Sequence, residues 1–201
     1  MMPTEELSRI TNTDIYVIDQ VLKGRYNTGG KLLDAGCGGG RNISWFLAQP
    51  NFDVYAIDIE QQIIDHLLQV YPSLKQDHVS CTPVQSLPFT AAFFDHIICS
   101  TVLHFARNKE DFLQMFSELN RVLKPGGSLF IRMASDIGIE NNILPLGGGR
   151  FSLPDGTDRF LLTRTLIDEV LNSFPMTLNE PVKTTNVQDI RCMTTLVMTK
   201  E

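Results

Sequence analysis

No apolar run in this chain of 201 residues approaches the ~20 that cross a bilayer, so a membrane-spanning helix is not expected. Positive charge is the scarcer sign, with 17 Lys and Arg against 23 Asp and Glu and a formal net charge of −6. That balance argues against a general nucleic-acid or anionic-membrane partner, since both call for basic surface. Cysteine is sparse too. Cys37, Cys81, Cys99 and Cys192 lie far apart with no CxxC pair, so no disulfide framework or structural metal is expected. The start, Met1 to Arg9, is acidic and polar and lacks the basic-then-apolar order of a signal peptide, which points to a cytoplasmic setting. Repeats, low-complexity tracts and long linkers are also missing. The expectation is one domain over residues 1–201, large enough to bury a core.

What is present is alternation. Short apolar runs at residues 31–35, 52–58, 78–82, 96–100 and 128–133 read as strands, several apolar almost throughout, as in a sheet covered on both faces. Between them, residues 42–48, 60–70 and 109–123 carry apolar residues at helical spacing, the last with a stripe of Phe112, Met115, Phe116, Leu119 and Val122. Pro125-Gly126-Gly127 reads as a sharp turn into the fifth strand. Thr165 and Asp168 read as a capping box opening a further helix. Strand-like segments at 176–185 and 190–199 are joined by too few residues for a crossover helix and should pair antiparallel. The fold class is therefore α/β: a Rossmann-like doubly wound sheet, mainly parallel, with an antiparallel C-terminal hairpin and helices on both faces. Residues 1–30 form a helical extension around positions 14–24, and residues 134–160 form a long loop rich in glycine and proline, placed to close over a substrate.

The chemistry concentrates after the first strand, in Leu33-Asp34-Ala35-Gly36-Cys37-Gly38-Gly39-Gly40. Glycines there let the backbone turn tightly and approach a ligand while the following helix presents free N–H groups. A dinucleotide fingerprint would place a small residue where Arg41 stands, and an apolar residue where Asp34 stands. A carboxylate at that point suits a cationic ligand with an amino group. Asp58 closes the second strand at the ligand edge of the sheet, where a carboxylate accepts hydrogen bonds from both ribose hydroxyls. It also fits as a helix cap.

These residues resemble the class I S-adenosylmethionine-dependent methyltransferases, from about Gly30 to Met133 and more loosely to Lys200. The resemblance rests on four motifs in order: the glycine loop, Ala56-Ile57-Asp58-Ile59, Leu87-Pro88-Phe89 with Phe94-Asp95, and Leu123-Lys124-Pro125-Gly126-Gly127. Arg41-Asn42 adds a weaker similarity to small tellurite-resistance-type methyltransferases. The resemblance implies S-adenosyl-L-methionine as cofactor. It implies that Gly36, Cys37 and Gly38, with Arg41 and Asn42 behind them, face the methionine part and that Asp34 lies near its amino group. Asp58 would hold the ribose, Ile59 would pack on the adenine, Val84 and Gln85 would lie beside it, and Ser100 and Thr101 would line the space near the sulfonium. Where the family often has an aspartate toward the adenine amino group, this chain has Pro83.

His104 is the best-placed residue for a general base, with a loop role bonded to backbone as its alternative. Cys37 lacks a histidine partner and reads as a small loop residue rather than a nucleophile. Arg132, Arg150 and Arg159 are candidates for binding an anionic acceptor. The function expected is methyl transfer from S-adenosylmethionine to a small-molecule acceptor by a monomer or homodimer, with no nucleic-acid, membrane or metal involvement. The alternative is a regulatory module that binds the cofactor without turnover.

Overall fold

The computed structural model describes Ile10 and residues 12–201, so the acidic start at 1–9 lies outside the described residues. Helix α1 (Ile15–Leu22) precedes strand β1 (Gly30–Ala35), α2 (Ser44–Leu47), β2 (Phe52–Asp58), α3 (Gln61–Val70), β3 (Val79–Cys81) and β4 (Phe94–Ser100). Helix α4 (Lys109–Val122) and β5 (Leu123–Ser135) follow. Then come β6 (Leu144–Gly147), β7 (Arg150–Ser152), β8 (Asp158–Phe160), α5 (Arg164–Ser173), β9 (Met176–Leu178), β10 (Lys183–Val187) and β11 (Arg191–Lys200).

The main sheet runs β10-β11-β5-β4-β1-β2-β3. β1 to β5 are parallel, β11 joins β5 antiparallel, and β9 and β10 both pair with the other edge of β11. Order reverses between β1 and β4, the switch point where open α/β sheets leave a crevice beyond their strand ends.

Successive strand residues point to opposite faces, and the core divides accordingly. Leu33, Ile57, Ile97 and Ile131 pack with Phe112 and Phe116 of α4 and with Leu166 and Val170 of α5. Leu32, Ala56, Ile98, Phe130 and Val197 pack on the other face with Val17 of α1, Phe46 of α2 and Leu67 of α3. The large side chains are buried, worth ~1.5–3 kcal/mol apiece relative to exposure, so both helical layers are held by apolar contact. Helix α4 is also well terminated. The Asn108 side chain accepts from the Asp111 amide at 2.8 Å, Glu110 and Asp111 occupy its first turn, and Arg121 its last.

Five local expectations are corrected. The helix after the glycine loop is a single turn, because glycine-rich turns consume residues 36–43 first. Helix α5 is capped by Thr163, whose hydroxyl accepts from the Leu166 amide at 3.0 Å, two positions before the capping box read from sequence. The segment 176–185 is two strands, β9 and β10. Residues 134–160 are not an open loop: β6, β7 and β8 make a separate three-stranded antiparallel sheet, closed around glycines at 147–149 and 156 with positive φ. Pro125-Gly126-Gly127 lies inside β5, where the register with β4 shifts, and acts as a bulge.

Candidate cofactor and acceptor site

The glycine loop leaves β1 at the switch point. The Gly36 and Cys37 amides both donate to the Ile57 carbonyl of β2, at 2.9 and 2.8 Å. Gly36 has φ 81°, and a Cβ there would stand 2.3 Å from Val102 Cγ2, so only glycine fits. Gly38 and Gly39 face the other way: a Cβ at either would meet nothing within 4 Å, which leaves the backbone open to a ligand. The Gly38 amide donates to Asp58 Oδ2 at 2.9 Å, and the other Asp58 oxygen accepts from the Glu60 amide at 3.2 Å. Asp58 thus braces the loop against β2, and Glu60, not Asp58, stands at the N-cap of α3.

Beneath this loop lies Asp34, 1% exposed. Its Oδ2 is buried with no hydrogen-bond partner among the described residues. Burial pushes its carboxyl up to about 7; Arg41 nearby pulls the other way and the Asp58 charge adds to the rise. A buried carboxylate without a partner is unstable until a cation or donor meets it. An ammonium beside the open backbone of Gly38 and Gly39 supplies that, so the residues present fit an amino-acid-bearing cofactor such as S-adenosylmethionine.

Helix α1 closes the opposite wall. Asp14 caps it, accepting from the Tyr16 amide at 3.0 Å, and donates its own amide to Asn42 Oδ1 at 3.1 Å. Ser100, at the end of β4, donates to Asp14 Oδ2 at 3.1 Å. Two guanidiniums approach the same carboxylate at ion-pair distance, Arg41 at 3.5 Å and Arg132 at 3.8 Å. The Arg132 guanidinium lies over the Tyr16 ring, 5.0 Å from its centroid. The Tyr16 hydroxyl in turn bonds Thr185 of β10. Sequence reading placed Arg41, Asn42, Ser100 and Arg132 near the ligand edge, and the fold brings all four together. It missed Asp14, whose only sequence signal was that of a helix cap.

The remaining candidates separate. Ile59 stands exposed beside Asp58. Val84 is buried in the core, and Gln85 turns its amide away to Asp111, 3.0 Å distant. Thr101 has φ 64°, a backbone state that non-glycine residues rarely adopt, held by a 2.7 Å bond from its amide to the Arg132 carbonyl. The Cys37 thiol is buried, and burial together with Asp34 and Asp58 drives its ionisation up and away from thiolate.

His104 is buried and its Nδ1 accepts from the Ala134 amide at 3.2 Å. Burial, with Arg159 and Arg191 adding positive charge, lowers it to about 4, so the ring is neutral at pH 7. With Nδ1 accepting, the ring proton is on Nε2, and the imidazole presents a donor rather than a basic lone pair. Arg150 is spent on the Ala106 and Asp158 carbonyls at 2.9 and 3.2 Å. Arg159 lies over the exposed Phe105 ring at 4.9 Å. Of the three arginines, Arg132 alone faces α1 and Asp14.

Residues 33–131, from the glycine loop into β5, match the model of a methyltransferase domain. A biotin biosynthesis bifunctional protein from Teredinibacter turnerae is 32% identical over 136 residues, covering 61% of this chain and 23% of that protein. The chain spans less than half the length of the curated relatives it matches. Among solved structures, an S-adenosylmethionine-dependent methyltransferase from Clostridium acetobutylicum shares the fold at TM-score 0.72 and 16% identity, over 95% of this chain and 92% of that one. TehB from Haemophilus influenzae does so at TM-score 0.64 and 18% identity, over 94% and 62%. The strand order, the loop with its buried carboxylate and the matched domain agree: residues 33–131 carry a methyltransferase domain, and the chain has the fold of the class I S-adenosylmethionine-dependent methyltransferases.

Proposed function

We propose that this chain transfers a methyl group from S-adenosylmethionine to a small-molecule acceptor, and that Asp34 is the residue that selects the methyl donor. The observation that carries this is the buried, unpartnered Asp34 oxygen beneath an open glycine backbone. Bound there, S-adenosylmethionine supplies a methyl group on a positively charged sulfur.

The chain's own residues bind, orient and exclude water. Asp34 pairs with the cofactor's ammonium, with Gly36, Cys37 and Gly38 shaping the loop above it and Arg41 and Asn42 closing it. Asp58 receives the ribose hydroxyls, and Ile59 covers the adenine together with the backbone at Val84 and Gln85. Ser100 and Thr101 line the transfer space. His104 serves as a hydrogen-bond donor and a brace for β5 at Ala134, not as a base, so the favoured acceptors are nucleophilic without enzymic deprotonation. Helix α1 and the small sheet β6-β7-β8 wall the acceptor space, with Arg132 its charged group. Arg150 secures that small sheet, and Arg159 lies on the rim.

Calorimetry tests the donor. S-adenosylmethionine and S-adenosylhomocysteine should bind and NADH should not. Asp34→Asn should weaken the first two by about 10- to 100-fold, the worth of a hydrogen bond to a charged group. Binding of NADH alone would sink the assignment. A panel of small acceptors should then yield S-adenosylhomocysteine; tight cofactor binding with persistent silence would favour a regulatory module.

A further inference from the structure

The sheet face under α1 carries a polar row one step beyond Asp34. Asp34 pairs with Ile98, Ile98 with Phe130 and Phe130 with Val197. Two residues further toward the ligand edge on β4 and β5, and two back along the antiparallel β11, Ser100 lies beside Arg132 and Arg132 beside Thr195. All three side chains point to the same face, one strand spacing apart, ~4.8 Å.

Two groups in that row lack partners. Thr195 is 3% exposed, and its hydroxyl is buried without a hydrogen bond among the described residues. The Arg132 Nε is likewise buried and unbonded, while its side chain as a whole is 15% exposed. Asp14 does not satisfy Arg132. At 3.8 Å it is beyond hydrogen-bonding distance, and its oxygens already accept from the Tyr16 amide and the Ser100 hydroxyl. Lys183, which continues the row on β10, is engaged by Asp19 and Glu180. A guanidinium N–H and a hydroxyl therefore stand at paired positions of β5 and β11, both buried, both without a hydrogen bond and both able to donate.

We propose that Arg132 and Thr195 form a subsite for a carboxylate group on the methyl acceptor, with Ser100 and the Tyr16 ring flanking it; this rests on the methyltransferase reading above. A carboxylate accepts from both donors and offsets the Arg132 charge. A phosphate dianion fits less well, because the Asp14 carboxylate faces the same guanidinium and repels a second negative charge.

Benzoate and benzamide, alike in size and different in charge, test this by calorimetry on protein saturated with S-adenosylhomocysteine. Benzoate should bind at least about tenfold more tightly, as expected for a charge-assisted contact. Arg132→Gln should erase the difference. Thr195→Val should weaken benzoate about two- to tenfold, the range of a neutral hydrogen bond, with S-adenosylhomocysteine affinity unchanged. Should Arg132→Gln fail to fold, Thr195→Val together with the wild-type comparison decides. Equal binding of the two probes, or measurable binding of neither, overturns the subsite. Tighter binding of methyl phosphate than of benzoate overturns the carboxylate assignment. Failure of S-adenosylhomocysteine itself to bind overturns the methyltransferase reading, a separate result.

Discussion

On the cofactor side, Gly38 reaches Asp58 across 20 residues of chain, and Asp34 lies in the strand that leads into the same loop. On the acceptor side, Asp14 meets Ser100 across 86 residues, Tyr16 meets Thr185 across 169, and Arg150 meets Ala106 across 44. The first half is a local motif whose backbone geometry is dictated by glycine and whose charge is left unpaired. The second is assembled from distant segments whose polar groups are mostly satisfied by one another. One half is set by the loop's own sequence, and the other exists only once the sheet is assembled.

The sharpest way to break that comparison is at the loop. Gly36→Ala adds a methyl group against Val102 in a left-handed backbone and should cost ~2–4 kcal/mol, read as a lower urea midpoint. Gly38→Ala has φ 50° but open space around it, so it should cost only ~1–2 kcal/mol while weakening the cofactor. Equal losses of stability would mean that the two glycines do not divide packing from binding as described.

Protonation gives a second, smaller contrast. The folded Asp34 carboxyl is raised from 3.8 to about 7, so between those values the folded chain keeps a proton that the unfolded chain has lost. Its contribution to stability therefore declines as pH rises through that window, by up to ~1.4 kcal/mol per unit. His104 is lowered from 6.5 to about 4, so its contribution is lost as pH falls from 6.5 toward 4. The two oppose each other over that shared range, and the melting temperature of the ligand-free protein should carry little net slope from them there. His104→Asn should expose the Asp34 slope alone. Cofactor affinity, which needs the ionised Asp34, should rise with pH and level off above 7; a flat profile would remove Asp34 from the site.

The smallest effect distinguishes the role of His104. His104→Asn retains an acceptor for the Ala134 amide, and turnover measured as S-adenosylhomocysteine release should stay within about tenfold of wild type. A loss of ~10²–10⁴-fold would identify a general base after all.

The same division explains what the sequence made legible. Strands β1 to β5 follow from apolar runs, and a local motif marks Asp34 and Asp58 as candidates. The Thr163 cap was hidden because Thr165 offered a capping box of equal quality two residues later. The β6-β7-β8 sheet was hidden because its strands are short, glycine-flanked and half exposed, the composition of a loop. Asp14 and Thr195 carry no local mark of a binding role at all. What makes them candidates is the absence of a partner or the company of residues far along the chain, and neither exists before the sheet is assembled.

The contact between Tyr16 and Thr185 therefore has a consequence for the order of construction. During synthesis, helix α1 and the glycine loop emerge early, whereas β10 and β11 emerge only after the whole parallel sheet. A nascent chain can complete its donor cradle while the wall carrying Thr185 and Thr195 is still missing. An interruption after the parallel sheet but upstream of residue 183 would leave the donor cradle without part of the wall opposite it.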